Sequence, residues 1–192
     1  MKKLQVIGIM VALLVLGFAG CAQAAEIGKD WKVGVGFESM YAGPLLNGLS
    51  VRAWTGPLGM EADLLQGSAK VKVNGVGDDS ESVETKANMW AGELKAMYAF
   101  VQKKNSNFYA GANVNYASFK VDVDDGSGKG SLWTFGPFIG SEFNLDAVPE
   151  LGFNFEVGYM FNSGKAEVDD TDVDAKIDMY GINVGIGVHY YF

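Results

Sequence analysis

Residues 181–192, GINVGIGVHYYF, sort their side chains into two incompatible sets at every second position. Ile182, Val184, Ile186, Val188, Tyr190 and Phe192 fall on one face, and Gly181, Asn183, Gly185, Gly187, His189 and Tyr191 on the other. Successive side chains point to opposite sides of a strand, whereas a helix brings them round with a period of 3.6, so this stretch reads as a strand. Its bulky face must meet an apolar medium and its small, polar face something else. The rest of the chain decides which medium that is.

The same division recurs throughout. ELGFNFEVGYMF places Leu151, Phe153, Phe155, Val157, Tyr159 and Phe161 opposite Glu150, Gly152, Asn154, Glu156, Gly158 and Met160. LWTFGPFIGSEF sets Trp133, Phe135, Pro137, Ile139 and Phe143 against Thr134, Gly136, Gly140 and Glu142, with Leu132 and Phe138 blurring the second face. FYAGANVNY and NMWAGELKAMYAF divide in the same way, and in WKVGVGFE, LSVRAW and LGMEADLL the charges alternate with apolar neighbours. Eight strands are predicted, at 31–39, 49–55, 58–73, 86–101, 106–123, 130–144, 150–168 and 175–192. The predicted fold is all-β, a single eight-stranded antiparallel up-and-down barrel that crosses a membrane.

Two features select the membrane. The connections GPLG (56–59), QKKNSN (102–107) and LDAVPE (145–150) are short, while NGVGDDSESVET (74–85), VDDGSGKG (123–130) and EVDDTDVD (167–174) are longer and acidic. Short turns at one end and longer loops at the other is how outer-membrane barrels are built. Aromatics on the apolar faces also recur about ten residues apart, as in Trp90 to Phe100, Trp133 to Phe143 and Tyr180 to Tyr190. A strand rising ~3.3 Å per residue at a tilt of ~40° advances about 25 Å in ten residues, the height of an apolar band between aromatic girdles. The chain is 48% hydrophobic, yet beyond residue 25 it has no apolar run long enough for a membrane-crossing helix. AKVKV (69–73), FKVDV (119–123) and KAEV (165–168) keep alternating past the girdle, which is read either as strands that protrude beyond the membrane or as ordinary hairpin stems.

The start of the chain is a basic Met1-Lys2-Lys3, an apolar run and then CAQAA. This is the pattern of a secretory signal peptide over residues 1–24, removed before Ala25, with the barrel occupying 25–192. Phe18-Ala19-Gly20-Cys21 resembles a bacterial lipoprotein box with Phe in the usual Leu position, so Cys21 is a candidate for lipidation. Cutting after Ala24 instead leaves no cysteine, and neither outcome supplies a disulfide or zinc framework. Setting Lys2 and Lys3 aside lowers the 15 basic residues to 13 against 23 acidic ones, so a net charge of −8 becomes −10. A balance this acidic argues against nucleic acid as a partner.

The candidate site residues lie in mid-strand on the polar face: Lys32, Glu38, Arg52, Glu61, Asp63, Glu93, Lys95, Glu142 and Glu156. Eight strands enclose a space that side chains just fill, so these charges are expected to form an interior ion-pair network centred on Arg52 and Lys95. His189 is the one histidine. It is read as a packing residue, because no serine lies two positions away and it sits at the short-turn end. Asp170, Asp172 and Asp174 alternate in an acidic segment that lacks the glycine and terminal glutamate of an EF-hand loop, and are read as a solvated loop. No catalytic residue, metal or cofactor is expected.

The chain resembles the small eight-stranded outer-membrane barrels of the OmpA/OmpX type, within the opacity-like superfamily. The terminal Phe192, preceded at alternate positions by Tyr190, Val188, Ile186 and Val184, looks like the assembly signal of that family. The resemblance implies a non-enzymatic protein of the Gram-negative outer membrane, with both termini in the periplasm. It also implies partnership with lipids and lipopolysaccharide, with the barrel-assembly machinery, and with a cell-surface partner through the acidic loops. The alternatives are a narrow channel, a route for small hydrophobic molecules suggested by Leu65, Met89, Met97, Phe138 and Met160 on the inner face, a lipocalin-like periplasmic barrel and a lipid A modifying enzyme.

Overall fold

The computed structural model describes residues 31–41, 45–73, 83–123, 126–168 and 174–192. The expected signal peptide, Cys21 and Asp170 and Asp172 lie outside the described residues. Eight strands follow in order: β1 (Trp31–Tyr41), β2 (Leu45–Thr55), β3 (Leu58–Val73), β4 (Val83–Lys103), β5 (Ser106–Val123), β6 (Gly126–Leu145), β7 (Val148–Val168) and β8 (Asp174–Tyr191). Each pairs antiparallel with its neighbours in sequence, and β1 pairs with β8 from Gly34↔Tyr191 to Tyr41↔Val184, closing the barrel. The amide of Phe192 donates to Val33 O at 2.9 Å, so closure extends to the last residue.

At one end, here the turn end, the strands are joined by two residues each: Gly56-Pro57, Lys104-Asn105 and Asp146-Ala147. Gly56 has φ 54, the left-handed value that a tight hairpin needs at its first central position, and Pro57 supplies a fixed negative φ at the second. Several predicted loops are shorter than expected. β1 and β2 run on to Tyr41 and from Leu45, and the turn-end connections shrink to their two central residues. The glycine-rich 126–130, expected in a loop, is strand, with Gly126 paired to Val123. Its glycines make room for neighbours: a Cβ at Gly130 would strike the Phe119 ring.

The exterior is apolar in a band. Phe37, Leu49, Leu94, Val114, Ile139, Phe155, Ile182 and Ile186 are exposed on it. Two rings of aromatics bound the band. At the loop end Tyr116 packs on Trp133 at 4.9 Å, and Phe135, Phe161, Tyr159 and Tyr180 form a connected run; at the turn end Phe143 stacks on Phe153 at 5.6 Å. A register shift between Ala99 and Val101 brings both Phe100 and Val101 to the exterior.

Beyond the loop-end girdle the two faces exchange character. The outward residues become Lys120, Asp122, Lys129, Glu167, Lys176 and Asp178, joined in pairs such as Lys120–Asp122 at 2.7 Å and Lys176–Asp178 at 2.8 Å. Hydrogen bonds from Lys176 and Ser163 hold the Asp178 carboxyl below its ordinary value. The inward residues become Phe119, Val121, Leu132, Ile177 and Met179. This inversion is what a change from hydrocarbon to water outside the wall requires.

Ile139 lies midway along the apolar part of β6 and Leu145 at its turn-end limit. In lipid vesicles Ile139→Arg is expected to lower unfolding stability by ~2–4 kcal/mol and Leu145→Arg by ~0–1 kcal/mol. Equilibrium unfolding in urea measures both.

Candidate functional site

The lumen is the place where chemistry-bearing side chains converge. Strand parity puts Glu38, Arg52, Glu61, Asp63, Glu93, Lys95, Glu142 and Glu156 on the inner face, and all eight are buried. Register brings them level: Arg52 stands opposite Glu61, Glu61 opposite Lys95, and Lys95 opposite Asn113 across four successive strands.

Arg52 is fully buried and uses its whole fork. Its Nε donates to Glu61, Nη1 to Glu142 Oε2 at 2.9 Å and to the Tyr109 hydroxyl at 3.2 Å, and Nη2 to Glu156 Oε1 at 2.8 Å. Lys95 Nζ donates to Glu61 Oε1 at 2.7 Å, Glu156 Oε2 at 2.8 Å and Glu38 Oε1 at 3.5 Å. Glu61 and Glu156 therefore bridge both cations. A planar guanidinium with five donors is suited to satisfying three carboxylates from three strands, which an ammonium does less well.

Neutral groups complete the carboxylates. Tyr109 donates to Glu156 Oε1 at 2.8 Å, Tyr191 to Glu142 Oε2 at 2.7 Å, Asn154 to Glu38 Oε2 at 3.1 Å, and Asn113 to Glu93. The glycines of β8 are part of this arrangement, since a Cβ at Gly187 would fall on the Glu38 carboxylate. His189 is buried, with Nε2 at 2.8 Å from Ser50 Oγ. The chain offers no serine two positions from it, and the fold supplies one from β2. Glu61 approaches that same Nε2 at 4.0 Å and not the opposite ring nitrogen, so the three are not arranged as a nucleophile, base and orienting acid.

Glu38, Glu61 and His189 also present donor atoms within 4.8 Å of one another, the spacing of a metal-ligand set. Glu61 already gives both oxygens to Arg52 and Lys95, and His189 Nε2 engages Ser50. This triple is committed to the ion-pair network.

Apolar clusters flank the charges on both sides along the barrel axis. On the turn side Trp54, Met97, Ala99, Tyr109, Phe138 and Tyr191 form one buried cluster, with Trp54 edge-on to Tyr109 at 5.5 Å. On the loop side Met40, Leu46, Leu65, Ala91, Ala117 and Met160 form a second, with Met89 and Leu132 packed against it. Above the second cluster an apolar cavity of about 250 Å³ is lined by residues including Ala69, Ala87, Met89, Phe119, Leu132 and Ile177. β1 ends at Tyr41 and β2 begins at Leu45, so among the described residues β3 beyond residue 66 and β8 before residue 184 have no strand paired on that side.

Of the predicted site residues, Lys32 is the exception. It shares the inner parity of β1 but is exposed at the turn-end rim, where water solvates the ammonium, and it does not join the network. The five inner apolar residues noted in the sequence do not line one route: Leu65, Met89 and Met160 belong to the loop-side layer, and Met97 and Phe138 to the turn-side one. Val184, Ile186, Val188, Tyr190 and Phe192 all take the outward parity at the end of the chain. Sequence reasoning did not assign Ser50, Tyr109, Asn113, Asn154 or Tyr191 to the network, although each lies on an inward position of an alternating strand.

The family model described as outer membrane protein beta-barrel domain matches residues 94–192. Among solved structures, the outer membrane protein OprG from Pseudomonas aeruginosa is similar at 19% identity and a TM-score of 0.58, over 85% of this chain and 95% of that one. A major outer membrane protein from Thermus thermophilus is similar at 14% identity and a TM-score of 0.55, over 84% of this chain and 99% of that one. At these identities the likeness concerns the fold. No curated protein matches the sequence.

Removing one partner of a buried ion pair leaves the other uncompensated, at a cost of about 3–5 kcal/mol. Arg52→Met is expected to lose that much in urea unfolding of the refolded protein, while Lys32→Met stays within ~0.5 kcal/mol of wild type.

Proposed function

The chain belongs to the outer membrane protein beta-barrel domain family, and from that premise we propose that it is a closed, non-conducting barrel of the Gram-negative outer membrane whose working surface is its loop end. The observation that carries this reading is the filled lumen: Arg52 and Lys95 hold carboxylates from four other strands between two apolar layers. An ion crossing along the axis would have to break hydrogen-bonded ion pairs and then pass dry hydrocarbon. In this reading both termini are periplasmic, the last strand is read by the assembly machinery, and lipopolysaccharide and any cell-surface partner meet the loop end. Catalysis has no support here, because Ser50 and His189 are sealed beneath the same layers.

A second reading, compatible with the first, comes from the cavity above the loop-side layer. Its lining is apolar, its size suits a short alkyl chain or a single ring, and among the described residues no strand closes it on the side of β1 and β2 near the outer girdle. We propose that it takes up small apolar molecules from the outer side.

Two measurements test these readings. In planar bilayers the protein is expected to give no steady conductance steps, and a stable open level would remove the filled-lumen account. A fluorescent fatty-acyl probe is expected to bind the refolded protein, and Ala87→Trp, which fills the cavity, to weaken that binding about tenfold, or ~1.4 kcal/mol.

A further inference from the structure

The lumen is not neutral. Glu38, Glu61, Asp63, Glu93, Glu142 and Glu156 are buried there against Arg52 and Lys95, which leaves four carboxylates in excess among the described residues. Lys95 has three donors, and Glu61, Glu156 and Glu38 take them. Asp63 and Glu93 stand 3.6 and 3.8 Å from its Nζ, beyond hydrogen-bond reach. These two carboxylates face each other in register across β3 and β4. They are 4% and 2% exposed, too dry for water outside the barrel to screen their repulsion.

Most of the atoms left over at this place are acceptors. Among the described residues, both oxygens of Asp63 and Oε2 of Glu93 have no hydrogen-bond partner. Asn113, 6% exposed, donates its amide nitrogen to Glu93, which aims its side chain at this carboxylate, and its Oδ1 is unpartnered as well. A spare donor, Asn115 Nδ2 in register with Glu93, reaches none of these oxygens. Carboxylate and amide oxygens without nitrogen or sulfur ligands make a hard, oxygen-only donor set, of the type that selects calcium or magnesium. The committed triple Glu38, Glu61 and His189 has no such spare atoms.

We propose that Asp63 and Glu93, with Asn113 Oδ1, bind a hard divalent cation inside the barrel, beside the Arg52 and Lys95 network. The ion acts as a third counter-charge, offsetting carboxylates that lie in the field of Lys95 but receive no hydrogen bond from it. It couples the stability of the barrel wall at β3, β4 and β5 to the divalent-ion content of its surroundings.

The test uses the full barrel refolded into detergent micelles at mildly alkaline pH in the presence of calcium chloride or of EDTA, so that the ion is available before the lumen closes. Calcium present during refolding is expected to raise the urea midpoint over that of barrels refolded in EDTA, and elemental analysis of the washed calcium-refolded barrel to give one calcium per chain. Asp63→Asn is expected to abolish both responses and, in EDTA, to unfold at higher urea than wild type, because one of the excess charges is gone. Glu93→Gln loses the calcium response in the same way and serves if Asp63→Asn does not refold. Asp172→Asn, in the acidic segment between β7 and β8, leaves both responses intact. A wild-type midpoint unmoved by calcium overturns the proposal, and so does a calcium response that survives both lumen substitutions or disappears with Asp172→Asn.

Discussion

Every other feature of this protein follows from one constraint: in hydrocarbon no backbone N–H or C=O finds water, so a sheet crossing it must have no edge. β8 meeting β1 removes the last edge. Once the sheet is closed, strand parity leaves each residue one of two destinations, lipid or lumen. Eight strands make that lumen so narrow that inward side chains must touch across it. Charges on the inner face then have no choice but to find one another, and Arg52 reaches Glu142 and Glu156 over separations of 90 and 104 residues.

The same reasoning accounts for the change of character along the barrel. Where the outside is lipid, burial favours apolar side chains facing out and glycines, amides and ions facing in. Past the loop-end girdle the outside is water, so Lys176 and Asp178 face out and Ile177 and Met179 face in. The apolar cavity is a consequence: strands that keep their parity while the solvent changes must line the upper lumen with hydrocarbon. The charged belt and the cavity are thus products of one pattern read in two media, separated by the layer around Leu65 and Met160.

Much of this was legible in the chain. The period of two, its recurrence in eight segments and the ten-residue spacing of aromatics are local properties, because a residue's face in a strand follows its parity except at a bulge such as that at Phe100 and Val101. Ends of strands were less legible. Gly126 to Gly130 have loop composition, yet their pairing with β5 and, from Gly128, with β7 makes them strand, and Gly130 leaves room for the Phe119 ring. Lys32 shows the opposite difficulty: its parity is right, but its height in the barrel leaves it hydrated at the rim.

The sequence by itself determined the strand count, the two faces and which residues would take the inward side, since alternation is set by neighbours one and two positions away. Only the tertiary structure decided who pairs with whom. The bond between Ser50 and His189, the sharing of Glu61 and Glu156 by two cations, the pairing of Tyr191 with Glu142 and the spare oxygens of Asp63 all join distant segments or depend on register. Such contacts are fixed by how the strands are staggered when the ring closes, and stagger leaves no trace in the period of any single strand.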